Sequence, residues 1–161
     1  MSTYRRPQPP QMGRAPAPAL GSQLQDYLNF LKRGYFDNED NVRCELLTTM
    51  AEHVAQVLGG AKMTSAQINR FFRHVRAIER EGDTKAFAEL IPRIQSLKPL
   101  VANYTGRGNT EQERQRRQEF KRFIDFNVEL AQKDIRSFKK GFVPHFESVV
   151  AYFKYHFPGR D

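Results

Sequence analysis

From Ser22 onward the apolar residues of this chain recur every three or four positions, and stretches that alternate apolar with polar are scarce. That period lays one apolar stripe along a helix and gives a half-buried strand nothing to present to a core. The expectation is an all-α fold, a compact bundle of five to six helices with short connections. A length of 161 residues suits one such domain with a tail.

Local signals divide the chain. Ser22 is placed to cap a short helix to about Arg33, with Leu24, Tyr27, Leu28 and Leu31 on one side. A second helix is expected after Asn38–Asn41, carrying Val42, Leu46, Leu47, Met50, Val54, Val57 and Leu58 and ending at Gly59-Gly60. Thr64 or Ser65 starts a third, which stops at Gly82. Asp83 caps a fourth through Val101, broken or kinked by Pro92 and Pro99. Tyr104 to Asn109 reads as a turn with two glycines. Thr110 caps a fifth, highly charged helix to about Ser137, with Phe120, Phe123, Ile124, Val128 and Ile135 as its stripe. Gly141 closes that region, and Pro144 fits the first turn of a last helix, Phe142 to His156.

Pro7, Pro9, Pro10, Pro16 and Pro18 crowd the first twenty residues, together with Arg5, Arg6 and Arg14 and no acid. Residues 1–21 therefore read as a disordered basic tail, and residues 22–161 as the helical bundle domain. Lys and Arg number 26 against 18 Asp and Glu, a net charge of +8. The tail accounts for a minor part of that excess, so most of it belongs to the folded part. No apolar run of roughly 18 residues exists to cross a membrane, and no apolar N-terminal stretch reads as a secretory signal. A soluble, cytoplasmic protein with no membrane partner is expected.

Enzyme chemistry finds little support. The single cysteine, Cys44, excludes a disulfide framework and a Cys-rich zinc site, and it reads as a buried structural residue. His53, His74, His145 and His156 lack the spacing of a zinc protease. Asp37 to Asn41 resembles part of a calcium loop without its central glycine and distal glutamate, so capping and solvation explain it better. Gly106-Arg107-Gly108 is no dinucleotide fingerprint, because no third glycine follows and a helix precedes it. No catalytic residue, metal or cofactor is expected. An enzyme whose site is assembled from distant residues stays open as a competing reading.

The third helix is the informative segment. Ile68, Phe71, Phe72, Val75 and Ile78 fall within an arc of roughly 120°, and Arg70, Arg73, Arg76 and Arg80 fall within another on the far side. No acid lies between Lys62 and Arg76. A solvated face would mix signs, so a phosphate-binding surface is favoured. An acidic protein partner, met by a helical adaptor, and a plain solvated face remain the alternatives. The fifth helix interleaves Arg114, Arg116, Arg117, Lys121 and Arg122 with Glu111, Glu113, Glu119 and Asp125, a pattern expected to pair within a charged outer face.

Three motifs then stand in order. They are Met63-Thr-Ser-Ala-Gln-Ile-Asn-Arg-Phe-Phe72 with Val75-Arg76-Ala77-Ile78-Glu79, Leu97-Lys98-Pro99-Leu100 through Tyr104 to Gly106-Arg107, and Val149-Val150-Ala151-Tyr152-Phe153-Lys154. Across about residues 42–157 the chain resembles the small subunit of type III-A CRISPR effector (Csm) complexes. The resemblance implies a non-catalytic helical subunit that stacks in several copies beside the guide RNA and its paired target RNA. Its partners would be those RNAs, the other subunits of the complex and copies of itself. Carried over residue by residue, it assigns RNA contacts to Lys62, Gln67, Arg70, Arg73, Arg76, Lys98, Tyr104, Arg107 and Lys154.

Overall fold

The computed structural model describes residues 23–159; the expected tail over residues 1–21 and the Ser22 cap lie outside the described residues. The fold is all-α. Its helices are α1 (Gln25–Leu31), α2 (Thr49–Gly60), α3 (Ser65–Glu81), α4 (Phe87–Gln95), α5 (Leu97–Gly106), α6 (Glu111–Ala131) and α7 (Val143–His156). Among the described residues, extended pairing is confined to one bridge between Phe36 and Val42.

The stripes seen in the sequence face one core. Ile68, Phe71, Val75 and Ile78 of α3 are buried, as are Phe120, Phe123, Ile124 and Val128 of α6 and Phe146, Val149, Val150 and Phe153 of α7. The phenylalanines interlock: Phe71 meets Phe120 edge-on at 4.7 Å, and Phe123 stacks on Phe146 at 5.2 Å. α2 packs chiefly on α7, and α5 on α6.

Several boundaries differ from expectation for definable reasons. Val42 pairs with Phe36 and does not start the second helix; Cys44–Leu46 form a single 3₁₀ turn, and α2 begins at Thr49. Cys44 on that turn is exposed, not buried. At its other end α2 closes at Gly59-Gly60, as expected. The helix ends in a Schellman motif, with Lys62 N–H on the Gly59 carbonyl and Met63 N–H on the Leu58 carbonyl. Lys62 takes the left-handed conformation (φ 61°) usually left to glycine. Gly59 serves packing, since a Cβ there would lie 1.9 Å from the Phe157 ring.

The fourth helix starts at Phe87, with Ala86 and not Asp83 as its cap, and divides at Ser96 into α4 and α5. Pro92 sits inside α4, while Pro99 occupies the first turn of α5, where a proline lacks no needed donor. α5 continues through Tyr104 and Gly106, so the expected turn is shorter. α6 stops at Ala131, six residues early, and Ile135 turns out to solvent. Gly141 does not end a helix. It lies in a π-helical segment, Ser137–Phe142, that runs directly into α7.

A polar network crosses the core. The Tyr27 hydroxyl lies 2.7 Å from His145 Nε2 and accepts from Asn127 Nδ2 at 2.9 Å. Tyr35 donates to Asn127 Oδ1 at 2.7 Å, and His145 Nδ1 meets the Leu46 carbonyl at 2.5 Å. All four side chains are buried.

Candidate nucleic-acid interface

α3 begins with a capping box. Thr64 Oγ1 accepts the Gln67 N–H at 3.2 Å, and Gln67 Oε1 accepts the Thr64 N–H at 2.9 Å. This cap fixes Gln67 at the head of the helix, one turn from Arg70 and two from Arg73 and His74. Arg70 and Arg73 are exposed, and neither forms an ion pair among the described residues. Arg76 is also exposed but is held by Glu79 at 2.7 Å. Arg80, at the C-terminal end of the face, is likewise exposed and outside any ion pair among the described residues, so Glu79 interrupts the face at Arg76 alone. Arg70, Arg73, His74 and Ala77 line a shallow groove on α3.

α5 presents Leu100, Asn103, Tyr104 and Arg107 along one stripe toward α3. Together with Gln67, Arg70 and Phe71 of α3 and Arg117 of α6 they enclose a cavity of about 270 Å³. A smaller neighbour of about 130 Å³ is walled by Lys62, Arg116 and Glu113 beside Gln67, Tyr104 and Arg117. Glu113 is the acid in this wall, and its carboxylate accepts the Asn109 N–H at 2.7 Å. Its charge is thus tied to the start of α6.

Tyr104 is the hinge between the two cavities. Its ring packs edge-on against Phe71 at 5.5 Å and Phe120 at 5.8 Å. Its hydroxyl reaches Gln67 Oε1 at 3.4 Å. The Arg117 guanidinium lies over the ring at 4.6 Å and donates to the Tyr104 carbonyl at 2.7 Å. Burial raises the Tyr104 hydroxyl pKa, with the Arg117 charge pulling the other way. The phenol stays protonated at neutral pH.

Among the residues singled out in the sequence, the fold brings Lys62, Gln67, Arg70, Tyr104 and Arg107 to one side, with Arg73 next to them. Lys98 is placed apart. It faces the other side of α5, pairs with Glu129, and lines a groove with Lys121 and Phe126. Lys154 is exposed near the end of α7 and lines none of these cavities. Arg107 caps the end of α5 in ordinary helical conformation, and the glycine after it serves packing: a Cβ on Gly108 would lie 2.9 Å from Arg114.

The charge pattern of α6 predicts a self-paired outer face for Arg116 and Arg117, yet both turn toward α3 and α5. The usable signal is spacing, since Arg117 stands three and seven residues before Phe120 and Ile124, on the rim of the core stripe. Self-pairing does hold for Arg114 with Glu111 at 3.1 Å and Lys121 with Asp125 at 2.5 Å.

The model of one protein family, described as Csm2 Type III-A, matches residues 41–158. The chain belongs to that family. It is a small subunit of the type III-A Csm complex and associates with the other subunits of that complex. No curated protein and no solved structure shows a significant likeness to it. Among the described residues, no helix is long and apolar enough to cross a membrane.

Proposed function

We propose that this Csm subunit is a non-catalytic RNA-binding scaffold. Copies of it stack along the guide RNA paired with its target and hold the phosphate backbone through the side formed by α3, the end of α5 and the start of α6. The observation that carries this reading is the convergence of Lys62, Arg70 and Arg107 around Arg116 and Arg117, with Arg73 beside Arg70 along α3, where the acid present accepts a backbone amide. Arginine suits the task because its planar fork holds two phosphate oxygens at once. Base pairing supplies sequence recognition in such a machine, and the protein reads shape and backbone.

The binding of one copy is then weak, salt-sensitive and indifferent to sequence. Stacked copies multiply it through effective concentration. Titrating a duplex RNA at several salt concentrations tests this. Arg70/Arg73/Arg107→Glu should lower the slope of log affinity against log salt by about three, near one per lost phosphate contact. The helical circular dichroism should stay unchanged. Undiminished RNA binding by the folded triple variant overturns the proposed face. Arg76→Glu, which removes a cation already paired with Glu79, should cost less than Arg70→Glu.

A further inference from the structure

A surface that only tracks phosphates has no use for a cavity with an aromatic and aliphatic wall. We propose that the cavity between α3 and α5 takes one unpaired base of an RNA strand, with the flanking phosphates held at its mouth. This rests on the reading of the chain as an RNA-binding subunit and adds a ligand class to it.

Three features of the cavity fit a base. The first is its wall: Phe71, Leu100 and Tyr104 give an apolar lining for a flat ring. Base–aromatic contact is tolerant of sequence, because every base has a π face. The second is size. About 270 Å³ falls just below the roughly 300–1,000 Å³ of sites that enclose drug-sized molecules. It suits one ring system and excludes a base pair or a helix. The third is the polar complement. Asn103 and Gln67 bring side-chain amides to the lining, and the Gln67 amide nitrogen has no partner among the described residues while its oxygen serves the helix cap. Such a group can meet the edge of any base.

The cations are graded in the same sense. Arg117 is fixed by the Tyr104 carbonyl and lies over the Tyr104 ring, so it forms part of the wall. Arg70 and Arg107 are exposed and lack ion-pair partners among the described residues, so they are available to phosphate oxygens on either side of an inserted base. Withdrawing a base from a stack costs least where it is bulged or mismatched. The site therefore discriminates paired from unpaired RNA, which a flat cationic face cannot do.

The test compares two RNA duplexes, one fully paired and one identical except for a single bulged nucleotide. The full chain should bind the bulged duplex about tenfold more tightly, the expected scale for one base stacked in a site. Asn103→Trp places a ring at the mouth from an exposed position on α5 and removes no charge. It should abolish the preference and leave affinity for the paired duplex and its salt slope unchanged. Leu100→Trp fills the same cavity from its lining and should do likewise. Equal affinity of the unaltered protein for both duplexes overturns this inference and leaves phosphate binding intact. Binding to neither duplex overturns the RNA-binding reading as well. An acidic peptide that binds and is displaced by Asn103→Trp overturns the assignment of the cavity to a base.

Discussion

Glu119 is the residue whose surroundings contradict its chemistry most. It stands on α6 among charges expected to pair outward, yet it is fully buried and neither carboxylate oxygen has a hydrogen-bond partner among the described residues. Burial lifts its pKa from 4.5 to about 7, against a smaller opposing pull from Arg122. His145 is perturbed in the opposite sense. Burial lowers its pKa from 6.5 to about 4, with the Leu46 carbonyl opposing, so it stays neutral within the Tyr27 network. The signs follow from which state binds more protons. Folded Glu119 keeps a proton that the unfolded chain has lost, so its contribution disappears as pH rises from 4.5 to about 7. Folded His145 refuses a proton that the unfolded chain accepts, so its contribution disappears as pH falls from 6.5 to about 4. Glu119→Gln should therefore raise stability at pH 8 by about 1–3 kcal/mol and change little at pH 4. Urea unfolding at the two pH values measures this. Equal effects at both would refute a buried ionised carboxylate as the cause.

The helices divide into those that state their own ends and those whose ends are set by neighbours. Thr64 and Thr110 cap α3 and α6 as their sequences indicate, because a cap is made from residues three apart. One glycine misled for a physical reason. Gly141 looks like a helix stop, but it lies inside a helical segment and is small because another element presses on it. At Gly141 a Cβ would lie 2.4 Å from the Tyr35 ring. Local sequence cannot reveal a partner 106 residues away. Gly141→Ala should thus destabilise the protein by about 1–3 kcal/mol through overpacking, although alanine is the better helix former. Gly60→Ala is the matched control, since no described residue lies near a Cβ there and it should be neutral or mildly stabilising. Calorimetric unfolding of the two variants separates packing from propensity. The candidate interface was legible on the same terms. The α3 arginines show themselves by period, whereas Arg117 depends on how α6 sits against α5, and the detachment of Lys98 depends on Glu129 across that contact.

At the scale of the whole molecule, the family match begins at residue 41, but the fold does not. Leu24, Tyr27, Leu31 and Tyr35 are buried, and the last ties into Asn127 on α6. A chain starting at residue 41 would expose the core they cover and leave Asn127 and His145 without their tyrosine partners. It should lose cooperative thermal unfolding and bind a hydrophobic dye, while a chain starting at residue 23 should not. Cooperative unfolding of the shorter chain would show that residues 23–40 are an accessory. The tyrosine network also carries a timetable. Tyr27 is synthesised 118 residues ahead of the His145 it bonds, and 100 ahead of Asn127. The helix that carries Tyr27 must wait for α6 and the start of α7 to exist before it can be seated, so this seam of the bundle closes late.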